Sequence, residues 1–296
     1  MAKPLSVYWV NAFTAERFTG NPAVVVPEAS GLSDRQMQQI AREMNCSETA
    51  FILTPADANA NFRLRWFTPT QEVPLCGHAT VAALHVLAET GQYDIAPEGM
   101  QTLQVETLTG VLAVTVDFES GGPWIWLTLP KCAFEPLAAD ALSSIQMALF
   151  AEMDEIGASI ISAAVDSLNR DVLLQVDSLA TLQSLTPDSK ALKRLGTDSQ
   201  WRGFSVFTTE TLAPEPHAQS RFFAPQSGII EDPVTGSASG PLALYLKQQG
   251  LVTANYLIFE QGHCLDRPGQ IHVDLSTTTP RCGGQAVTVL TGVLND

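Results

Sequence analysis

Residues 65–84 read "RWFTPTQEVPLCGHATVAAL", and residues 221–244 read "RFFAPQSGIIEDPVTGSASGPLAL". Both stretches begin with Arg, two aromatics, a small residue and Pro. Both then run Glu-x-Pro-aliphatic-x-Gly-x-Ala. Glu72 matches Glu231, Pro74 matches Pro233, Gly77 matches Gly236 and Ala79 matches Ala238, with Thr80 and Ser239 a near match. Between the shared residues, Cys76 stands against Thr235 and His78 against Ser237. Each copy feeds an apolar helix, "TVAALHVLAETG" closed by Gly91 and "GPLALYLKQQG" stopping at another Gly. A helix that is apolar all round is buried rather than laid on a surface. The repeat therefore predicts two similar domains, each a small sheet wrapped around a central helix. Helix starts present unpaired N–H groups with partial positive charge, and glycine lets a ligand approach the backbone. Facing one cleft, two such turns would bind an anion. The same glycines also serve as ordinary helix-start turns of a duplicated scaffold.

Outward from these stretches, short strands dominate. "SVYWVNAF" (6–13) and "PAVVVP" (22–27) read as strands around the Gly20-Asn21 turn. "LSDRQMQQIAREMN" predicts a helix with Ser33 as N-cap and Met37, Ile40, Ala41 and Met44 on one face. "ETAFIL" and "FRLRWF" return to strand, and residues 103–118 predict a hairpin about Thr109-Gly110. "PWIWLTLP" (123–130) is a further strand. Helices are expected near 136–154 and 187–195. Strands are expected in "DVLLQV", "GFSVFTT", "SRFFAP", "YLIFEQG", "QIHVDL" and "QAVTVLTGVL". The class is α+β, without regular βαβ alternation and without a dinucleotide or phosphate-loop glycine pattern.

A chain of 296 residues suits two domains. The expected limits are 1–120 and 121–296, with the switch near "FESGGPW" (118–124), where Gly121-Gly122-Pro123 interrupts two strand runs. The net charge of −15 argues against nucleic acid and anionic membranes, which need a basic footprint. No stretch approaches the roughly 18 apolar residues of a membrane span. The start "MAKPLSVYWVNAF" reads as a strand rather than a signal segment, so a cytoplasmic location is expected. Five cysteines with no CxxC fit a reducing compartment and speak against structural zinc. Neither a metal nor a cofactor is expected.

The chain resembles the PhzF-like phenazine-biosynthesis isomerase family, which shares the diaminopimelate epimerase fold. The resemblance rests on "VNAFTAERFTGNPAVVV", "REMNCSETAF" (42–51), "RWFTPTQEVPLCGHAT" (65–80), "FFAPQSGIIEDPVTGSASGPL" (222–242) and, more loosely, "EQGHCLDRPGQIHV" (260–273). It implies two pseudo-equivalent domains, each a barrel-like, mostly antiparallel sheet around a central helix, with the active site between them. It also implies the return of the last strand, about 285–296, to the first domain, and a homodimer as a common state. The implied chemistry is cofactor-independent proton transfer on carbon of a small carboxylate-bearing substrate. By the same resemblance Glu48 is the acid/base, while His78, Asp232 and Ser237 line the substrate pocket. Phenazine biosynthesis itself is not implied. The chain departs from the family at Asp266-Arg267-Pro268-Gly269, where Gly-Arg-Pro-Ser is usual.

Taken by their chemistry, Glu48, His78 and Asp232 are the candidate catalytic residues, and Gly77, His78, Gly236 and Ser237 the candidate substrate-binding ones. A base near carbon needs a pKa raised toward neutral by partial burial, which the edge of the apolar "AFIL" run offers Glu48. From composition alone, Glu48 is equally a cap or a solvated carboxylate. His78 at a helix start is expected to be neutral, because the positive end of the helix depresses its pKa. Asp232, before Pro233, is biased to extended backbone, and Ser237 suits an N-cap. Cys76 raises two alternatives. A thiol-dependent racemase would need a second thiol where Thr235 stands, and the two-residue spacing is expected to keep Cys76 away from His78. Cys76, His78, His263 and Cys264 have no recognised metal spacing. A catalytically silent ligand-binding protein is the other alternative. His85, inside the apolar helix, reads as a core histidine.

Overall fold

The computed structural model describes residues 4–119, 121–128, 130, 132–151, 160–276 and 280–295. β1 (Leu5–Ala12) pairs antiparallel with β2 (Asn21–Val26) across a turn in which Gly20 has φ +64°. A Cβ there would sit 2.3 Å from the Ala12 carbonyl, so the turn requires glycine. α1 (Asp34–Met44) opens on the Ser33–Gln36 capping box and buries Met37 and Ala41, as its periodicity predicts. β3 (Thr49–Leu53) lies parallel to β2, and β4 (Phe62–Phe67) antiparallel to β3. The short β5 (Glu72–Val73) folds back on β4 and delivers the chain to α2 (Gly77–Thr90), which ends at Gly91 in the left-handed conformation. β6 (Met100–Thr107) runs parallel to β4, and the meander continues through β7 (Gly110–Asp117) and β8 (Trp124–Thr128).

The next segments are β9 (Phe134–Pro136), α3 (Ala139–Leu149), β10 (Ile160–Asp166) and β11 (Asp171–Val176). Then come α4 (Leu179–Ser184), α5 (Ser189–Ser199), β12 (Gly203–Thr208), β13 (Ala218–Ala224) and β14 (Ile229–Asp232). α6 (Gly236–Gln248), β15 (Tyr256–Gln261) and β16 (Gly269–Asp274) follow, then β17 (Arg281–Gly284) and β18 (Ala286–Leu294). The chain divides into two compact units, Met1–Thr128 with Arg281–Asp296, and Leu129–Pro280.

In the first unit β18 pairs with β1 and β17 pairs with β8. Only Gln285 separates β17 from β18, so the sheet closes on itself through the order β1-β2-β3-β4-β6-β7-β8-β17/β18. α2 packs on β1, β2, β3, β8 and β18, and His78 through Leu87 are all buried. A helix enclosed by strands has no solvent face, which is why its sequence carries no amphipathic stripe. α1 covers an outer face, where Val7, Val24, Val26, Phe51 and Phe67 form a second apolar layer with Met37 and Ala41.

The second unit repeats this wiring. β9-β10-β11 are antiparallel neighbours, β11 and β12 are parallel, β12 and β13 antiparallel, β13 and β15 parallel, and β15 and β16 antiparallel. α6 stands where α2 stands, between the short strand β14 and β15. Its Tyr245 makes edge contacts with Phe134 and Phe207. α3, α4 and α5 form the outer layer over Val172, Leu174, Phe204, Val206 and Phe223.

The match extends to single side chains. Arg65 grips Glu72 through Nε and Nη2 at 2.7 Å each and lies over the Phe67 ring. Arg221 grips Glu231 through the same two nitrogens at 2.9 and 2.8 Å and lies over the Phe223 ring. Thr80 donates to the Cys76 carbonyl and Ser239 to the Thr235 carbonyl. The repeated Arg, Glu and Thr/Ser of the sequence thus make the same buttress twice.

Three expectations shift. The helix expected near 136–154 is α3 at 139–149, and residues 152–154 lie outside the described residues. The helix expected at 187–195 is α5 at 189–199, preceded by the six-residue α4 that periodicity misses. β10, "IISAAVD", has weak strand character of its own and is made by pairing with β9 and β11.

Candidate active site

In the first unit, α2 starts at Gly77 with Cys76 as its N-cap in extended backbone (φ −144°, ψ 114°). Glu48 sits immediately before β3, held at its carbonyl by the Val24 N–H at 3.1 Å. The two segments bring Ser47, Glu48, Cys76 and His78 together. His78 Nε2 lies 3.2 Å from Glu48 Oε2 and 3.3 Å from Ser47 Oγ, and Nδ1 lies 3.5 Å from Cys76 Sγ. Glu48 and His78 are each only 7% exposed, and Cys76 is 8% exposed.

Burial pushes the Glu48 carboxyl up, but His78, helped by Ser47 and Cys76, pulls it below the ordinary 4.5. Burial pulls the His78 imidazole down, yet Cys76 and Glu48 outweigh it and hold the ring well above 6.5. The two groups are thus each shifted toward the charged form. Burial, then Glu48, pushes the Cys76 thiol up, against the opposing pull of His78. Glu48 Oε2 receives no aligned hydrogen bond from the described residues, although Nε2 stands at ion-pair distance. A buried carboxylate oxygen without a donor is unusual, because desolvation otherwise disfavours it.

Three expectations are corrected here. His78 is shifted up rather than down, because Cys76 and Glu48, both within 3.5 Å, outweigh burial. Glu48 is shifted down rather than up, because His78, then Ser47 and Cys76, outweigh burial. Cys76 and His78 do touch. Helical spacing does not govern a residue at the N-cap, whose side chain lies beside the second and third residues of the helix. Glu48, Cys76 and His78 also offer one oxygen, sulfur and nitrogen within 4.8 Å of one another, a donor set of the kind that holds divalent cations. His263 and Cys264 form part of a separate short turn at His263–Leu265. His85 is a core residue, with Nε2 3.8 Å from Glu89 and a pKa lowered mainly by burial.

In the second unit, Asp232 ends β14 in the extended backbone that Pro233 favours. Its Oδ2 accepts from Thr235 Oγ1 at 2.6 Å. Gln261 braces the turn, donating to the Asp232 carbonyl at 2.7 Å and to Thr235 Oγ1 at 3.0 Å, while its Oε1 accepts the Thr235 N–H at 3.0 Å. Gly236 is the first helical residue and Ser237 the second; the N-cap is Thr235. Ser237 is thus not the cap. Its Oγ accepts from Arg202 Nη1 at 2.8 Å, and its carbonyl accepts from Asn169 Nδ2 at 3.0 Å. That carbonyl is free because Pro241, four residues on, has no N–H to give it.

Sequence reasoning missed Ser47, Arg202, Asn169 and Gln261. Register supplies the signal for two of them. Thr49 faces Phe67 and Phe204 faces Phe223, and Phe67 and Phe223 are repeat counterparts. Ser47 and Arg202, each two residues earlier, are then counterparts, as are Glu48 and Gly203. A Cβ on Gly203 would meet the Phe222 ring at 2.3 Å, so no side chain fits at the Glu48 position of the second unit.

Residues 10–292 match the profile of the family described as phenazine biosynthesis-like protein, PhzC-PhzF. An uncharacterized isomerase of Clostridium acetobutylicum is 36% identical over 282 residues, covering 93% of this chain and 91% of that protein. The crystal structure of a phenazine biosynthesis protein of the PhzF family from Bacillus anthracis superposes over all of both chains, at TM-score 0.84 and 26% identity. A hydroxyproline epimerase from Agrobacterium vitis, solved with trans-4-hydroxy-L-proline, shares the fold at TM-score 0.63 and 14% identity, over 98% of this chain and 92% of that one. With its profile matched almost end to end and its relatives named isomerases, the chain belongs to the PhzF-type phenazine biosynthesis-like family and is an isomerase-class enzyme.

Proposed function

We propose that the protein moves a proton on carbon of a small carboxylate-bearing substrate without a cofactor, with Glu48 as the carrier. The observation behind this reading is the Glu48–His78 pair: a buried carboxylate, ionised at neutral pH, with one oxygen that receives no aligned donor. In the proposed step Glu48 Oε2 takes a proton from carbon. The electron pair left behind delocalises toward an oxygen of the substrate. The charged His78 and the N–H groups at the α2 start favour that negative charge. Protonated Glu48 then returns the proton to the same or a neighbouring carbon, so atoms and charge balance. Ser237 and Asp232 orient the substrate, a role that follows from the family resemblance. Gly203 at the Glu48 position favours one carrier over a symmetric pair.

Trans-4-hydroxy-L-proline, the ligand of the epimerase that shares the fold, sets the scale of substrate: a small cyclic acid. The test is a screen of cyclic and acyclic carboxylates in deuterated water, followed by mass spectrometry and NMR. Solvent deuterium enters at least one compound with the wild type and not with Glu48→Gln. Exchange that survives Glu48→Gln ends the reading. The contact between Cys76 and His78 favours one second reading, a thiol-dependent racemase. It requires that Cys76→Ser abolish exchange while Glu48→Gln retains it.

A further inference from the structure

The second unit contains a charged assembly that the proposed chemistry does not use. Asp171, at the start of β11, is 1% exposed and carries Arg202 on a two-pronged contact: Nε donates to Oδ1 at 2.9 Å, and Nη2 donates to Oδ2. The guanidinium also lies over the Phe222 ring, 5.4 Å from its centre. A planar fork held on two sides and stacked on an aromatic face has little freedom left. Its remaining nitrogen, Nη1, points at Ser237 Oγ. Asn169 holds the same serine by its carbonyl.

We infer that Arg202 is a positioning residue that fixes the Ser237 hydroxyl as a hydrogen-bond donor toward an anionic acceptor oxygen of the substrate, of the carboxylate class. This rests on the reading above that the substrate bears a carboxylate. A serine hydroxyl has one proton to give and two lone pairs to receive. Arg202 occupies a lone pair and cannot accept, so the Ser237 proton is directed elsewhere. The nearest fixed charge is a guanidinium, and the residue stands in the first turn of the 13-residue α6, where negative charge is favoured. The three carboxylates around Arg202 are already engaged: Asp171 with Arg202, Asp232 Oδ2 with Thr235 Oγ1, and Asp166 with the N–H groups of Leu168, Asn169 and Asp171.

Internal symmetry supplies an independent argument. Ser47 and Arg202 are counterparts in strand register, and His78 and Ser237 are counterparts in the repeat. In the first unit Ser47 Oγ lies against His78 Nε2 at 3.3 Å; in the second, Arg202 Nη1 lies against Ser237 Oγ at 2.8 Å. The same contact, from the residue ahead of the strand to the second residue of the central helix, is built twice with its chemistry exchanged.

The test measures binding of matched acids and amides (acetate, benzoate and proline, each with its carboxamide) by calorimetric titration and ligand-observed NMR. Wild type binds at least one acid, at least about tenfold tighter than its amide. Ser237→Ala and Arg202→Gln each bring that ratio close to one, and Arg202→Lys falls between. The double variant goes no further than either single, because the two residues act as one unit. Ser237→Ala leaves the Arg202–Asp171 pair intact, so it decides the matter if Arg202→Gln does not fold. Four results overturn the inference: no acid bound, no preference over amides, a preference that survives either variant, or losses that multiply. The two readings are separated by their readouts: Glu48→Gln is scored by loss of exchange, and Ser237→Ala and Arg202→Gln by loss of the acid-to-amide ratio.

Discussion

The turn into α2 and the turn into α6 share a frame and differ in everything that carries chemistry. Both rest on an Arg–Glu pair over a Phe ring, both place Gly first in the helix, and both tie the N-cap carbonyl to a hydroxyl one turn on. The first turn then gathers a carboxylate, an imidazole and a thiol. The second has glycine at the carboxylate position and gathers a locked aspartate, a serine and an arginine. The frame repeats because a helix closed inside strands has few ways to begin. Under the proposed function, the first turn moves the proton and the second holds the substrate.

The largest expected effect tests that division directly. Glu48→Gln lowers solvent exchange about 10²–10⁴-fold, the usual range for loss of a general base, and leaves ligand binding intact. If Glu48→Gln instead weakens binding with exchange per bound ligand preserved, the division between the turns collapses.

A second comparison concerns the two buttresses. Arg221 and Glu231 are 8% and 10% exposed, and Arg221 also donates to the Leu182 and Leu185 carbonyls at 3.2 and 3.0 Å. Arg221→Met strands all of these acceptors and destabilises by about 3–5 kcal/mol. Arg65 has the exposed Asp34 as its second partner, so Arg65→Met costs about 1–3 kcal/mol, as for an unsatisfied buried group. Urea denaturation of both variants checks the order. Equal losses would mean that the extra carbonyl contacts contribute nothing.

The third effect depends on pH. A His78 pKa raised above 6.5 stabilises fully below that value, and the contribution is lost as pH rises through the folded pKa. A Glu48 pKa lowered below 4.5 stabilises above that value, and the contribution is lost as pH falls through the folded pKa. Both contributions are therefore complete between about pH 4.5 and 6.5. The Tm difference between wild type and His78→Gln is expected to be largest there and to shrink on either side. A difference that does not vary with pH would remove the ion pair from the account.

The smallest effect concerns the thiol. Cys76→Ser is expected to leave exchange within roughly tenfold of wild type, because burial and Glu48 push the thiol up, away from the reactive thiolate. Iodoacetamide followed by peptide mass mapping should label the exposed Cys264 before Cys76. Rapid labelling of Cys76 with parallel loss of turnover would bring the first turn closer to a racemase.

Much of this was legible in one dimension. The duplication, the two buried helices, the hairpin about Gly110 and the capped α1 follow from pattern alone, because burial and capping leave periodic or fixed-position marks. Glu48, Gly77, His78, Asp232, Gly236 and Ser237 could be named because they lie inside short motifs. The pairs they form could not. Arg202 lies 35 residues from Ser237, and no local pattern connects them. β10 and β14 were equally hidden, since strand pairing rather than composition makes them strands.

The sequence by itself determined the α+β class, the twofold repeat, the family and the residue types at each helix start, all of which depend on local order along the chain. Only the tertiary structure decided the direction in which Glu48 and His78 are shifted, the contact of Cys76 with His78, and the Arg202–Ser237 link. The Glu48–His78 and Arg202–Ser237 pairs join segments 30 and 35 residues apart, the Cys76–His78 contact depends on the turn of the chain at the N-cap, and electrostatic interaction in a buried setting changes steeply with such distances.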